Sequence, residues 1–513
     1  MLAINVLDYL DRAVLLHPDK TMLLDQDRSL SFGQVKALAQ AVAIEVMQRT
    51  DNLNTPIAAY LPRSADLVIA DLGILESGHF YMNLDVASPA ARTRATLDHV
   101  QPSLLITTRK AFDSLNGLNF REDQIVFIDE IPAAPLAPAQ LQALHTRRSA
   151  QIDTDPICII NTSGSTGIPK ATLISHRGII DFIEWAIDRY AIDSSQIIGN
   201  QSPFHFDIYM FELVLSMATG ATLVLLPSQH FPYPARLLDY MARTQINFIF
   251  WVPTIMVNIA NLDLLERMPL PDLKLVWFAG EVFPTRSFNY WRRHLPQARF
   301  TNLYGPIEIT LDCSFYDVVR EFSDDEPLPI GRACRNKGLL ILDENNNAAP
   351  PGTLGELCVR GTGLALGYYN DPERTSKVFC QNPLNTKYPE LIYRTGDLVT
   401  VNDQGDILFC GRRDFQIKLQ GNRIELGEIE HAAMACSEIR NCCVHYDQHD
   451  KTIVMFYESS EHLPTERLRS LLANRLPKYM IPTVFWHLVA MPLNPNGKID
   501  RRRLLEGLTQ DGR

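Results

Sequence analysis

Apolar residues recur with a helical period at the start of the chain, where Val6, Leu7, Leu10, Val14 and Leu15 share one face. The pattern then shortens. Residues 21–24 and 30–32 flank 25–28 as the arms of a hairpin flank its turn. Ser31 followed by Gln34 has the spacing of a capping box and predicts a helix carrying Val35, Leu38, Val42 and Val46 on one face. Beyond it, brief apolar runs at 57–60, 103–106, 125–128, 221–226, 248–251 and 275–279 alternate with helical segments, which predicts a largely parallel α/β architecture. After Pro351-Gly352 the chain turns to short β-rich segments, 356–360 and 407–410, and a new α/β unit begins at Phe415. The expected fold is therefore α/β, with a large N-terminal domain of parallel and mixed sheets flanked by helices, a β-rich subdomain, and a small C-terminal α+β domain. With no low-complexity linker in sight, the boundary is placed at Asp414, giving domains 1–413 and 414–513 joined by one short hinge.

Composition narrows the function classes. At 513 residues the chain exceeds one ordinary core, and 46% hydrophobic with 21% charged residues describes a soluble enzyme. The net charge of −11 divides unevenly: residues 411–513 hold 15 Lys/Arg against 13 Asp/Glu, or +2, leaving −13 on the rest. Bulk nucleic-acid binding is not expected, and Arg501-Arg502-Arg503 reads as a solvated face. Nine cysteines without C-x-x-C spacing suit a reduced cytoplasm, with Cys442-Cys443 in the core. Asp8, Asp11 and Arg12 interrupt the first apolar pattern, so it does not read as a signal peptide. The greasiest stretches are cut by Gly220, or by Asn247 and Pro253, so no membrane span is expected.

The chemistry is announced by Asn161-Thr162-Ser163-Gly164-Ser165-Thr166-Gly167-Ile168-Pro169-Lys170, directly after the apolar run 157–160. Glycines let backbone N–H groups turn inward, and hydroxyls with one cation complete a cradle for a polyphosphate. It is not a Walker A loop, because Pro169 precedes the lysine and Ala171 follows it. Further blocks follow in order: Asn302-Leu303-Tyr304-Gly305-Pro306-Ile307-Glu308, Tyr393-Arg394-Thr395-Gly396-Asp397-Leu398, Gly411-Arg412-Arg413-Asp414, Arg423-Ile424-Glu425-Leu426-Gly427-Glu428-Ile429-Glu430, Leu476-Pro477-Lys478-Tyr479-Met480-Ile481-Pro482 and Asn496-Gly497-Lys498. From about residue 20 to about 505 they resemble the adenylate-forming ligase superfamily of acyl-CoA synthetases, luciferases and peptide-synthetase adenylation domains, and most of all the amino-acid-activating, nonribosomal peptide synthetase branch.

The resemblance implies ATP and Mg2+ as cofactors, with Thr162, Ser163, Gly164, Ser165, Thr166, Gly167 and Lys170 on the phosphates and Glu308 on magnesium. Tyr304, Gly280 and Asn302 would form the adenine slot, while Asp397 takes the ribose and Arg412 lies beside it. Lys498 is implied as the catalytic residue of adenylation, bridging the substrate carboxylate and the α-phosphate. A swing of the mobile small domain about Asp414 would withdraw it for thioester formation. Asp207 falls where amino-acid-activating members pair a carboxylate with the substrate ammonium, although a helix N-cap is the plain alternative. The side-chain pocket would be lined by Ile208, Phe211, Phe250, Trp277, Ala279, Leu303, Leu311 and Asp312. Its aromatic lining suggests a small or medium hydrophobic or cyclic amino acid, whereas Asp312 would neutralise a cationic side chain or be satisfied locally.

Two positions depart from the family pattern: Ala171 replaces the glycine that commonly follows the loop lysine, and Asn83 replaces a proline. No carrier-protein segment is recognisable. The expected activity is thus amino-acid adenylation followed by transfer to the phosphopantetheine of a carrier protein in trans, as in secondary-metabolite synthesis. Neither nucleic acid nor membrane is expected as a partner. An acyl- or aryl-acid CoA ligase, or a non-catalytic nucleotide-binding regulator, are the alternatives.

Overall fold

The computed structural model describes residues 3–114, 120–132, 134–164, 169–413, 416–448, 450–492, 499, 501 and 503–504. The chain forms two compact units: Met1–Val86, Val100–Asn161 and Ala171–Arg413 make the first, and Ala87–His99, Thr162–Lys170 and Asp414–Arg513 the second.

The first unit is mixed α/β, built on sheets of nine, seven and five strands. In the nine-stranded sheet, Thr21–Asp25, Thr222–Leu225, Ile197–Asn200, Phe248–Trp251, Leu275–Phe278 and Arg299–Tyr304 run parallel, with antiparallel partners at both edges. Strand period sorts the side chains between two cores. Phe248, Phe250, Leu275, Trp277 and Leu303 enter one, while Ile249, Trp251, Val276, Phe278 and Phe300 enter the other. The five-stranded sheet is antiparallel and contains the predicted β-rich segments, as Gly355–Gly361 and Ile407–Arg412.

The capping box forms as its spacing predicts: Gln34 N donates to Ser31 Oγ at 3.3 Å and Ser31 N donates to the Gln34 side chain at 2.9 Å. Two details differ. Phe32 opens the helix Phe32–Met47 instead of ending a strand. Leu15 is 84% exposed, because only Leu7, Leu10 and Ala13 of its helix, with Tyr9, reach the core.

In the second unit, Asn441–Asp447, Thr452–Glu458 and Val484–Leu488 form a three-stranded sheet packed against the helices Leu426–Met434 and Thr465–Ala473. Cys442 and Cys443 are buried in separate apolar clusters, as successive strand residues must be. At Arg501 the solvated-face reading is corrected. Its guanidinium donates to Glu430 Oε1 at 2.5 Å and to the Val444 carbonyl at 2.8 Å, while Arg503 is exposed. No disulfide forms among the described residues, and none of their helices is long and apolar enough to cross a membrane.

Candidate active site

The densest part of the site grows from the end of the strand Arg299–Tyr304. Gly305 is required there, since a Cβ would lie 2.0 Å from the Leu311 carbonyl oxygen and 2.4 Å from Asp312 Cα. The chain makes one 3-10 turn, Ile307–Ile309, and then passes through left-handed Thr310 (φ 53°) and Leu311 (φ 64°), which few residues other than glycine adopt. It returns antiparallel, with Cys313 N donating to the Tyr304 carbonyl at 2.8 Å. This loop buries Glu308 completely, and its Oε1 accepts from the Tyr368 hydroxyl at 2.7 Å.

Asp397 and Arg412 face each other across an antiparallel pair of strands. Arg412 donates to Asp397 Oδ1 and, at 3.1 Å, to the Thr395 carbonyl. The Tyr304 hydroxyl donates to Asp397 Oδ2. Burial first, and the carboxylate second, push the Tyr304 phenol far up, so it remains a donor. Each Asp397 oxygen keeps a further lone pair for another donor. Tyr304 itself is only 6% exposed, and its ring lies 6.5 Å from that of Phe409. Asn302 turns its amide onto the Pro329 carbonyl at 2.7 Å, and Gly280 has φ 90°.

Asp207 is the first residue of the helix Asp207–Thr219. The N-cap is Phe206, and no side chain caps the helix, which corrects the N-cap alternative. One carboxylate oxygen accepts from Ile208 N at 3.0 Å. One turn along, Phe211 stacks on Trp277 at 5.4 Å, and Phe250 meets both rings edge-on at 5.6 Å. These three rings are at most 1% exposed and pack on each other. Ile208, Ala279, Leu303, Leu311 and Asp312 are buried as well.

Beneath this turn lies a polar network that sequence reasoning missed. Asn83 Nδ2 donates to Asp71 Oδ2 at 2.9 Å and to the Phe204 carbonyl at 3.1 Å, and the Tyr209 hydroxyl donates to Asp71 Oδ2 at 2.7 Å. Tyr209 stacks on Phe204 at 3.9 Å. The segment leading into Asp207 is thus fastened from inside the core. Burial pushes the Asp71 carboxyl up to about 8, against the two hydrogen bonds that oppose it. The only signal in the sequence was a polar Asn83 closing an apolar strand.

The described residues of the Gly- and Ser-rich stretch 162–170 belong to the second unit. Ser163 Oγ donates to the Arg423 carbonyl at 2.6 Å and accepts from Glu425 N at 3.2 Å. Gly164 N donates to Glu428 Oε2 at 3.1 Å, and Lys170 pairs with Glu425 at 2.7 Å. Arg92 pairs with Glu428 on its other oxygen. Burial raises the Glu428 carboxyl, although Arg92 and Gly164 N pull the other way. Carboxylates of the 423–430 block therefore engage donors of the kind a phosphate would use. Ser165, Thr166, Gly167, Asp414 and Lys498 lie outside the described residues. Among those described, no group of three or more His, Cys, Asp or Glu side chains is arranged to hold a metal unaided.

The AMP-binding enzyme model matches residues 10–369, and the AMP-binding enzyme C-terminal domain model matches 428–498. Zwittermicin A synthase ZmaJ of Bacillus cereus is 31% identical over 499 residues, covering 95% of this chain and 92% of its own. A D-alanine–D-alanyl carrier protein ligase of Bacillus anthracis is 30% identical over 521 residues, covering 98% of this chain and 100% of its own. Among solved structures, the Vibrio cholerae adenylation domain AlmE in complex with glycyl-adenosine-5'-phosphate shares the fold, with a TM-score of 0.84 and 22% identity across 99% of this chain and 98% of that one.

The buried carboxyl groups Asp397 and Asp71 can each be tested by substitution. Asp397→Ala leaves the Arg412 guanidinium without its carboxylate, a loss of about 3–5 kcal/mol of stability, and the midpoint of urea unfolding should fall accordingly. An unchanged midpoint would show that the pair contributes nothing to folding. Asp71 holds its proton in the folded chain up to about pH 8, whereas the unfolded carboxyl loses it near 3.8. The folded state then binds more protons between those values, so this group makes stability fall as pH rises from about 4 to about 8. At ~1.4 kcal/mol per pH unit the total is at most on the order of 5 kcal/mol. Asp71→Asn should flatten that slope in urea titrations, and an equal slope in both proteins would refute the assignment.

Proposed function

The chain belongs to the AMP-binding enzyme family of adenylate-forming ligases, and we propose that it activates an amino acid as the aminoacyl-AMP and passes it to the phosphopantetheine thiol of a separate carrier protein. In the first step a substrate carboxylate oxygen attacks the α-phosphorus of ATP, and the bond to pyrophosphate breaks. In the second, the thiol loses its proton to solvent, its sulfur attacks the carbonyl carbon, and the bond from that carbon to the phosphate oxygen breaks to release AMP.

Asp207 is the observation that carries the amino-acid reading. It opens a helix whose next turn delivers Phe211 to the aromatic cluster, so a substrate held by its ammonium would direct its side chain toward Phe211, Phe250 and Trp277. Those rings fill much of the space between them, which favours a short side chain. The carrier-protein ligases among the relatives support the second step. Asp397 and Arg412 are assigned to the ribose, Tyr304, Gly280 and Asn302 to the adenine slot, and the residues from Thr162 to Lys170 to the phosphates.

A magnesium ion fits this set of residues. Glu308 is a buried hard-oxygen donor, and a single carboxylate suffices for an ion that keeps its waters and binds phosphate oxygens. Bound there, it would offset charge on the departing pyrophosphate. Lys498, carried by a small domain hinged at Asp414, is assigned to the approach of carboxylate and α-phosphate, where an ammonium reduces repulsion in the transition state.

Amino-acid-dependent exchange of labelled pyrophosphate into ATP, run across a full amino-acid panel, tests the reaction. Exchange with desamino acids in preference to every amino acid would replace this reading with a CoA ligase. Lys498→Ala should lower adenylation about a hundredfold or more, while thiolation from a supplied aminoacyl adenylate stays nearly intact. Equal losses in the two half-reactions would remove the lysine from its role. Asp207→Ala should weaken amino-acid activation by about 3 kcal/mol, since the ammonium then lies buried and unpaired. The desamino analogue should gain on the amino acid in the variant, and an unmoved ratio would take Asp207 out of recognition.

A further inference from the structure

A cation is enclosed against the turn that carries Glu308, Leu311 and Asp312. Lys337 opens the strand Lys337–Leu342, yet it is 7% exposed. Its ammonium donates to the backbone carbonyls of Asp312 at 2.7 Å, Thr310 at 3.3 Å and Ile309 at 3.5 Å. Three acceptors match the three protons of an ammonium. The nitrogen also stands 4.7 Å from the centroid of the Phe182 ring, whose face attracts a cation.

The surrounding backbone is fitted to this side chain. A Cβ at Gly363 would lie 2.6 Å from Lys337 Cε and 2.6 Å from the Ile309 carbonyl oxygen, so the lysine stem occupies space that any other residue at 363 would fill. The carbonyls it gathers belong to the stretch with left-handed Thr310 and Leu311, a conformation that needs outside support. Cys313 and Cys334 report the local field. Burial pushes both thiols up, Cys334 adds to this at Cys313, and Lys337 draws both down.

We propose that Lys337 is a positioning and specificity-determining residue, which clamps residues 309–312 and fixes a positive charge behind the pocket residues Leu311 and Asp312, so that the pocket accepts neutral side chains and rejects cationic ones. The inference rests on the amino-acid activation proposed above. It also bears on the choice that Asp312 leaves open in the sequence, because the fold already sets an ammonium on the Asp312 backbone carbonyl. A second ammonium in the same enclosed region would be repelled through a medium that screens poorly.

The test measures pyrophosphate exchange by the full chain with alanine, proline, ornithine and lysine, for the wild type, Lys337→Met and Gly363→Ala, with a thermal melt of each. In Lys337→Met the ratio of kcat/KM for ornithine to that for the best neutral amino acid should rise at least tenfold. Gly363→Ala, which displaces the end of the lysine, should move the ratio in the same direction by less. Each ratio is taken within one preparation, so a partly folded fraction cancels. An unchanged ratio in an active Lys337→Met overturns the proposal, as does a wild type that prefers ornithine or lysine. Should Lys337→Met fail to melt cooperatively, Gly363→Ala decides by the same ratio; loss of folding in both makes the lysine purely structural and overturns the role. A wild type that exchanges with no amino acid refutes amino-acid activation itself, a failure visible without either variant.

Discussion

Backbone contact at Gly305 is the constraint on which the first unit's site depends. With the Leu311 carbonyl oxygen only 2.0 Å from where a Cβ would stand, any side chain at 305 would force the chain open. Closed, the loop sets Glu308 on one side and Leu311 and Asp312 on the other, within four residues of each other. The left-handed backbone at 310 and 311 is a consequence of turning back so sharply, and strain of this kind persists only where neighbours over-determine it. Here the neighbours are the Tyr368 hydroxyl, the Ala365 N–H on the Glu308 carbonyl and the Lys337 ammonium.

A second theme is the placing of charge out of water. Asp397 is held by Arg412 and Tyr304, Glu428 by Arg92 and Gly164 N, and Asp71 by two neutral donors while it keeps its own proton. These are different answers to one problem. Burial raises both Glu428 and Asp71, but a guanidinium opposes it at Glu428, whereas only amide and hydroxyl donors oppose it at Asp71. Asp71 needs no charge for its part, which is to fasten the segment leading into Asp207.

Features that depend on neighbours in sequence were legible in advance. The capping box at Ser31 and Gln34 is a contact over three residues, and the strands Phe248–Trp251 and Leu275–Phe278 announce themselves as apolar runs. That Arg412 lies beside Asp397 was implied by the resemblance, though not the ion pair they form. What escaped were contacts between distant residues with no motif of their own. Asn83 reaches Phe204 across 121 positions, and nothing local to either foretells it. Lys337 belongs to no motif, and its burial is decided by Gly363 and by carbonyls some 25 residues earlier. Leu15 erred the other way: helical period identifies a face but not how far the covering structure extends.

The division of strand residues between two cores has a consequence for how this sheet tolerates change. Phe250, Trp277 and Leu303 look toward one core, while Ile249, Val276, Phe278 and Phe300, their neighbours in sequence, fill the other. Exchange of single residues on the first set can repack one core while the second set goes on supporting the sheet. Insertion or deletion of one residue in these strands would instead invert both sets together. Lineages of this fold should therefore vary by point substitution at alternate positions, and recombination should succeed only where crossovers preserve strand length and parity.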